Sequence, residues 1–319
     1  MNQIETKSGD TLKELTVRAE DPSEEFRSIW TDLRGVSFTQ GWTEVDGTKV
    51  RYLRSGPSDG PKLIMLPGTG GHAETYVPNL GPLGKHFDCW AIDIPGSGYS
   101  DKHGESFDAI HTARFIKQFA DNLGASQIDL IGCSVGSWAA LQVAVLYPDL
   151  VRHLILSSPA GGPLPDEGDA WYPLWNMPDI GGEAGRERLE LAKSPTWEGV
   201  ESVLRSLMPD KRRLPDDMLA ARLDANRQPN AAEVVEKVNW WFDRETRLAN
   251  TLTREQLRRI DIPVLGITEV NDQSLAIVQA MFACLPNSEL IRVEGVGHWP
   301  HYEDSGTFNR LAIDFLTNA

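Results

Sequence analysis

The sequence lacks the features that define membrane, secreted and disulfide-rich proteins. Its 319 residues contain no apolar run of membrane-spanning length, and the polar N-terminus has no signal-peptide core. The only cysteines, Cys89, Cys133 and Cys284, are scattered. Such spacing fits reduced intracellular thiols better than disulfides or a metal site. We therefore expect a cytoplasmic protein without a structural metal.

Positive charge is also scarce. The chain has 31 lysines and arginines against 46 aspartates and glutamates, a formal net charge of −15. This balance disfavours nucleic acid and anionic membranes as partners, and it leaves a small-molecule substrate. An anionic substrate would require a local basic group. The pattern does not fix the oligomeric state, and a homo-oligomer stays open.

Cofactor-binding loops are absent as well. Gly68, Gly70 and Gly71 follow an apolar strand, but no Lys-Ser/Thr pair comes after them, and no dinucleotide-binding G-x-G-x-x-G follows a strand. We predict no cofactor.

Short apolar runs alternating with helical periodicity fill residues 41–160 and 251–319. Asp46-Gly47 lies between two β-patterned segments and indicates an edge hairpin. The other strands are continuous apolar runs, which are typical of a parallel sheet covered on both faces. Those predicted strands cover residues 62–66, 87–93, 128–131, 151–157, 262–268 and 289–293.

Residues 161–250 have a different character, with no strand signal and five of the ten tryptophans. We interpret this segment as a helical cap inserted into the α/β core, with some of its aromatic side chains facing a pocket. Residues 1–40 form an acidic, polar N-terminal extension in which 22–30 have the pattern of a short amphipathic helix. The predicted organisation is extension 1–40, core 41–160, cap 161–250 and core 251–319.

The segment around Ser134 carries the strongest functional signal. An apolar run ends in Gly132-Cys133-Ser134-Val135-Gly136, and a run of helix-forming residues follows. This is the nucleophile-elbow pattern, in which flanking glycines let strand and helix pack closely around a strained serine. Ser134 is the predicted nucleophile.

The predicted general base is His298, in a glycine-flanked loop after the last strand. His301 is the competitor. The order Ser, acid, His requires a carboxylate in a loop between the two, and Asp272 is our choice, with Glu269 as the alternative. The oxyanion-hole donors are expected to be the backbone N–H groups of Val135, which follows the nucleophile, and Thr69, in the glycine-rich loop.

These motifs resemble the α/β-hydrolase superfamily along nearly all of residues 41–319. The fold that this implies is a mostly parallel sheet with helices on both faces and an inserted helical cap. More narrowly, Gly297-His298-Trp299-Pro300-His301-Tyr302-Glu303 and the helix at 308–316 are similar to the ending of the meta-cleavage-product hydrolases. Those enzymes cut a carbon–carbon bond in vinylogous 1,5-diketones formed during bacterial breakdown of aromatic compounds.

The resemblance also implies substrate-binding residues. The cap segment 221–229 is similar to one that carries an arginine for the substrate's carboxylate end, which assigns that role to Arg222. Trp299 matches a tryptophan that lines the pocket beside the histidine. A helical arginine otherwise more often only solvates a surface, so both interpretations of Arg222 stand.

The sequence therefore predicts a serine hydrolase acting on a small, partly apolar, carboxylate-bearing substrate. Two departures from the family, Cys133 where it has asparagine and the loop Pro67-Gly68-Thr69-Gly70-Gly71, keep ester or lactone hydrolysis as the alternative. A ligand receptor on a hydrolase scaffold is a third reading, which turnover of any ester would exclude.

Overall fold

A computed structural model describes residues 2–5, 11–19, 27–175, 177, 182–208, 210–269 and 275–318. Within them, ten strands form one sheet in the order β1-β2-β10-β9-β8-β7-β5-β6-β4-β3. The strands are β1 Asn2–Glu5, β2 Thr11–Arg18, β3 Phe38–Val45, β4 Thr48–Ser55, β5 Lys62–Leu66, β6 Asp88–Ile92, β7 Ile128–Ser134, β8 Val151–Pro159, β9 Val264–Glu269 and β10 Ser288–Glu294.

The helices alternate with the central strands or lie between β8 and β9. They are α1 Ile29–Asp32, α2 Val77–Leu83, α3 Ala109–Asn122, α4 Val135–Leu146, α5 Tyr172–Trp175, α6 Gly182–Lys193, α7 Trp197–Leu207, α8 Asp216–Asn226, α9 Ala231–Val238, α10 Arg244–Asn250, α11 Arg254–Arg258, α12 Leu275–Phe282, α13 Pro300–Glu303 and α14 Ser305–Asn318. Short 3₁₀ turns cover Ala73–Tyr76, Lys211–Arg213 and Trp240–Phe242.

The central strands pair in parallel, as their continuous apolar runs predict. The parallel part of the sheet consists of β5 to β10. The predicted hairpin β3–β4 joins it through an antiparallel pairing of β4 with β6. Two large apolar clusters cover the two faces of the sheet. The predicted fold class, a mostly parallel α/β sheet covered on both sides, is confirmed.

The N-terminal segment differs from its expected form. The extension contains a strand, β2, which pairs in parallel with β10, and β1 pairs antiparallel with β2. The side chain of Glu14 is buried in β2 and forms an ion pair with Arg292. Of the predicted amphipathic helix only the end is described, and there Ile29 is buried while Trp30 is 70% exposed. The polar composition hides this strand, in which the side chains of Glu14 and Thr16 both contact Arg292 of β10.

Helices α5 to α10 lie between β8 and β9, where the cap was expected. Their last residue, Asn250, anchors them to the core. Its carbonyl oxygen accepts hydrogen bonds from Trp138 Nε1 (2.8 Å) and Gln142 Nε2 (2.6 Å), both on α4. The cap is therefore tied directly to the helix that follows Ser134. No helix in the described part of the chain is long and apolar enough to cross a membrane.

Candidate active site

Ser134 occupies a strained turn between β7 and α4. Its backbone has φ 52° and ψ −121°, a left-handed conformation that costs a non-glycine residue free energy. A Cβ on Gly132 would lie 2.5 Å from the carbonyl oxygen of Gly136, and one on Gly136 would lie 2.5 Å from that of Pro67. Neither distance is tolerable, so both glycines are needed for strand and helix to approach each other here.

His298 lies in the loop between β10 and α13. Its side chain lines the same cavity as Ser134, and its backbone N–H donates to the carbonyl oxygen of Leu207 in the cap (2.8 Å). The competitor His301 is buried elsewhere, with its ring packed against that of Tyr76 and its Nδ1 bonded to Ser157 Oγ (3.1 Å). Burial, with a smaller effect of the His298 charge, lowers the pKa of His301 to about 3. His301 is therefore neutral and does not face the cavity.

Glu269, the last residue of β9, contacts the histidine. Its Oε1 lies 3.2 Å from His298 Nδ1, and its Oε2 accepts hydrogen bonds from the hydroxyls of Ser158 and Thr268. Burial alone would raise the pKa of Glu269, but the bond and charge of His298, with the Ser158 hydroxyl, bring it below the ordinary value. This carboxylate fixes the imidazole with Nε2 free for the cavity side.

The first-choice acid, Asp272, lies outside the described residues. The hydrogen bond to His298 is made by Glu269, the alternative candidate for the acid.

The glycine-rich loop after β5 approaches Ser134 closely. A Cβ on Gly68 would lie 3.1 Å from the Cβ of Ser134, and the turn is closed by a bond from Gly71 N–H to the Gly68 carbonyl oxygen (2.8 Å). Thr69 and Val135 both border the cavity beside Ser134. Val135 is the first residue of α4, so its N–H has no partner within the helix. Both expected oxyanion donors are thus at the cavity wall.

The cavity has a volume of about 360 Å³ and a largely apolar wall. Two of the cap tryptophans, Trp175 and Trp241, line it, as the sequence predicted for some of them. Trp138 of the core completes the aromatic surface and stacks on Trp175, with ring centroids 5.8 Å apart. This end of the cavity fits a flat, apolar group.

Arg222 faces the cavity from α8. It is buried, its Nη1 donates to the carbonyl oxygen of Gly70, and its guanidinium lies 5.7 Å from the ring centroid of Trp299. Trp299 is also buried and lines the cavity. This burial excludes the solvent-facing alternative for Arg222, whose side chain lines the cavity.

A second arginine, Arg247, also lines the cavity, and no sequence motif marks it. It is 1% exposed and donates to the carbonyl oxygens of Trp175 (2.9 Å), Trp241 (2.8 Å) and Met177 (2.6 Å). No local motif marks an arginine that binds main-chain oxygens distant in sequence. Its role is to hold the cap segments that carry the aromatic wall.

The charge at the cavity has the opposite sign to that of the chain. Two arginines and no aspartate or glutamate are among the described residues that line it, although the formal net charge is −15. The wall therefore favours an anionic ligand group. Among the described residues, no group of three or more histidine, cysteine, aspartate or glutamate side chains could hold a metal ion.

A parallel α/β sheet, a strained serine at a strand–helix turn and a histidine–carboxylate pair on one capped cavity define a class of hydrolase. The family model of the alpha/beta hydrolase fold matches residues 61–305. The chain belongs to the α/β-hydrolase family and is an enzyme, a hydrolase.

Particular relatives sharpen this assignment. The chain is 26% identical over 268 residues (82% of this chain, 89% of the relative) to a 2-hydroxy-6-oxononadienedioate/2-hydroxy-6-oxononatrienedioate hydrolase of Comamonas testosteroni. It is 28% identical over 273 residues (81% and 88%) to a 2-hydroxy-6-oxo-6-phenylhexa-2,4-dienoate hydrolase of Burkholderia cepacia. The solved structure of a hydrolase of that second name, from Rhodococcus sp. strain RHA1, superposes with a TM-score of 0.73 at 18% identity, covering 88% of this chain and 99% of the other. The resemblance to meta-cleavage-product hydrolases is confirmed.

Proposed function

We propose that the enzyme cleaves a carbon–carbon bond in a ring-cleavage product of aromatic degradation, with Ser134 as nucleophile, His298 as base and Glu269 as the orienting acid. One observation carries the proposal: Ser134, His298 and Arg222 border a single cavity with an aromatic wall. Reactive groups, a cation and a flat apolar surface are what a carboxylate-bearing dienone substrate requires.

The proposed steps use the groups that border the cavity. His298 Nε2 takes the proton as Ser134 Oγ bonds to the substrate's carbonyl carbon. The resulting oxyanion accepts hydrogen bonds from the N–H groups of Thr69 and Val135. When the carbonyl re-forms, the carbon–carbon bond breaks, its electron pair moves into the conjugated system of the leaving fragment, and His298 returns the proton. Water, activated by His298, then hydrolyses the acyl-enzyme.

The residues that line the cavity support one orientation of the substrate. The carboxylate pairs with Arg222 next to Trp299, and the acyl group lies against Trp138, Trp175 and Trp241. The names of the relatives describe dienoates that carry a carboxylate at one end and a phenyl or second acid group at the other. The aromatic wall favours an apolar acyl group over a second acid, because the guanidinium of Arg247 beside it is already bonded to main-chain oxygens.

Ester or lactone hydrolysis is the second candidate, and Cys133 favours it. This residue, which stands where the family has asparagine, is 1% exposed in β7 and does not line the cavity. Burial also raises the pKa of its thiol, which keeps it neutral. Among the described residues that line the cavity, no side-chain amide lies beside the nucleophile to bond a dienol.

One assay separates the two candidates. The purified enzyme is offered yellow dienoates with phenyl, methyl and carboxylate-bearing acyl ends, and nitrophenyl esters of matched acyl size. Loss of the yellow absorbance with a kcat/KM well above that for the matched ester supports carbon–carbon cleavage. Ester turnover without dienoate turnover overturns it in favour of the esterase.

We also propose a cytoplasmic location, supported by three buried thiols that are not in disulfides.

A further inference from the structure

The loop that carries His298 is held at three consecutive backbone positions. The N–H of Gly297 donates to Glu303 Oε2 (2.8 Å), and that of Trp299 donates to Glu303 Oε1 (2.9 Å). Between them, the N–H of His298 donates to Leu207 of the cap (2.8 Å). A single carboxylate thus binds the residues on both sides of the histidine.

The position of Glu303 is unfavourable for a charge. Glu303 is the last residue of α13 and is 4% exposed. Burial raises its pKa to about 7, because the two N–H bonds and Arg213 offset burial only partly and the charge of Glu269 adds to it. Between the ordinary pKa of a glutamic acid and about pH 7, Glu303 ionises less readily in the folded protein than in the unfolded chain. The free energy of unfolding therefore falls as the pH rises through this range.

We propose that Glu303 is a positioning residue for His298, with its ionised carboxylate fixing the imidazole by bonding the flanking backbone groups. The ionised form accepts both bonds more strongly, because charged acceptors bind N–H groups better and protonation leaves one oxygen a weaker acceptor. Glu269 orients the ring of His298, and Glu303 sets the backbone from which the ring projects. The inference rests on the proposed role of His298.

Replacing Glu303 by glutamine gives the decisive variant, since its amide accepts one N–H and opposes the other. For Glu303→Gln we expect kcat for a nitrophenyl ester to fall about 10- to 100-fold, because displacement of a reacting group by about 1 Å has effects of this size. KM should change little. Above about pH 7 the Tm should change little, because removal of a buried charge offsets the loss of one backbone hydrogen bond.

Asp108→Asn is the matched control. Asp108 is a buried carboxylate that caps α3 by accepting the N–H of His111 (2.9 Å). This variant should lose Tm and keep kcat, which is the signature of a structural role. A Glu303→Gln variant that loses Tm in step with kcat, or that keeps kcat within about twofold, overturns the proposal.

The pH profile gives a second test. On the acid side, the wild-type fall in kcat should include the ionisation of Glu303, and the Glu303→Gln profile should be less steep because that ionisation is missing. Equal slopes contradict the proposal. If the glutamine variant does not fold, Glu303→Asp decides, since its shorter side chain cannot reach both N–H groups, and unchanged kcat overturns the idea. Ser134→Ala separates the two levels: if it stays active, the proposed function fails whatever Glu303 does.

Discussion

The two walls of the cavity are built in different ways. On the core side, Ser134, His298 and the Thr69 loop all follow the carboxyl ends of strands, which a parallel sheet brings to one edge. On the cap side, Arg222 and Arg247 project from helices inserted between β8 and β9. The core wall holds the groups proposed to react, and the cap wall holds charge and aromatic surface. Chemistry and substrate selection should therefore respond separately to mutation.

The largest effect is expected at the core wall. Ser134→Ala should lower kcat by about 10⁴-fold or more, because the attacking oxygen is removed. The fold should stay intact, as measured by Tm and circular dichroism, since only one oxygen is lost. An alanine variant that keeps most of the wild-type kcat on a good substrate would show that the core wall does not supply the nucleophile.

The identity of the acid is tested by a pair of variants. Glu269→Gln should lower kcat by roughly 10³- to 10⁴-fold, since the amide cannot stabilise a protonated His298. Asp272→Asn is the comparison, and it should lose much less if the bond between Glu269 and His298 is the one used in turnover. The reverse ranking would assign the role to Asp272, and equal modest losses would remove both.

At the cap wall the effect should depend on the substrate's charge. Removing one member of a desolvated charge pair costs about 2–5 kcal/mol, so Arg222→Ala should lower kcat/KM roughly 30- to several-thousand-fold on an anionic dienoate. For the neutral methyl ester of the same dienoate, kcat/KM of the variant should fall little. Arg222→Lys should recover part of the loss, because a point charge does not reproduce the guanidinium fork.

Equal losses on the acid and its methyl ester would mean that Arg222 supports the cap instead of binding the ligand. This comparison is the sharpest test of whether the core wall carries the reaction and the cap wall selects the substrate.

The smallest effect is one of pH on stability, at His301. Its pKa of about 3 is below that of an exposed histidine, so between about pH 6.5 and 3 the unfolded chain binds a proton that the folded protein does not. Stability is complete above this window and falls as the pH drops, by about 2 kcal/mol at pH 5. His301→Asn should reduce the difference in Tm between about pH 7.5 and 5. An unchanged difference would exclude His301 as the cause.

How far the sequence predicts the molecule depends on the range of the interactions involved. The elbow at Ser134 and the loop of His298 were found because strand, glycine and turn are neighbours in the chain. The sequence pattern does not reveal β2 because most of its side chains are polar and its partners on β10 are far along the chain, Leu290 pairing with Glu14. Arg247 and Glu303 bind backbone groups, which leave no residue pattern. Asp272 and Glu269 share one loop region, and spacing alone does not separate them.

The pairing of β2 with β10 has a consequence for anyone shortening the chain. β10 leads directly into the loop of His298, and the N–H of Ala19 donates to the carbonyl oxygen of Glu294 at the end of that strand (2.7 Å). Removing the first 19 residues would uncover a long row of unpaired main-chain groups, which is a template for joining another molecule edge to edge. A trimmed version made for expression or crystallisation is thus expected to aggregate through the strand that supports its own histidine, whereas a tag added before Met1 leaves this strand covered.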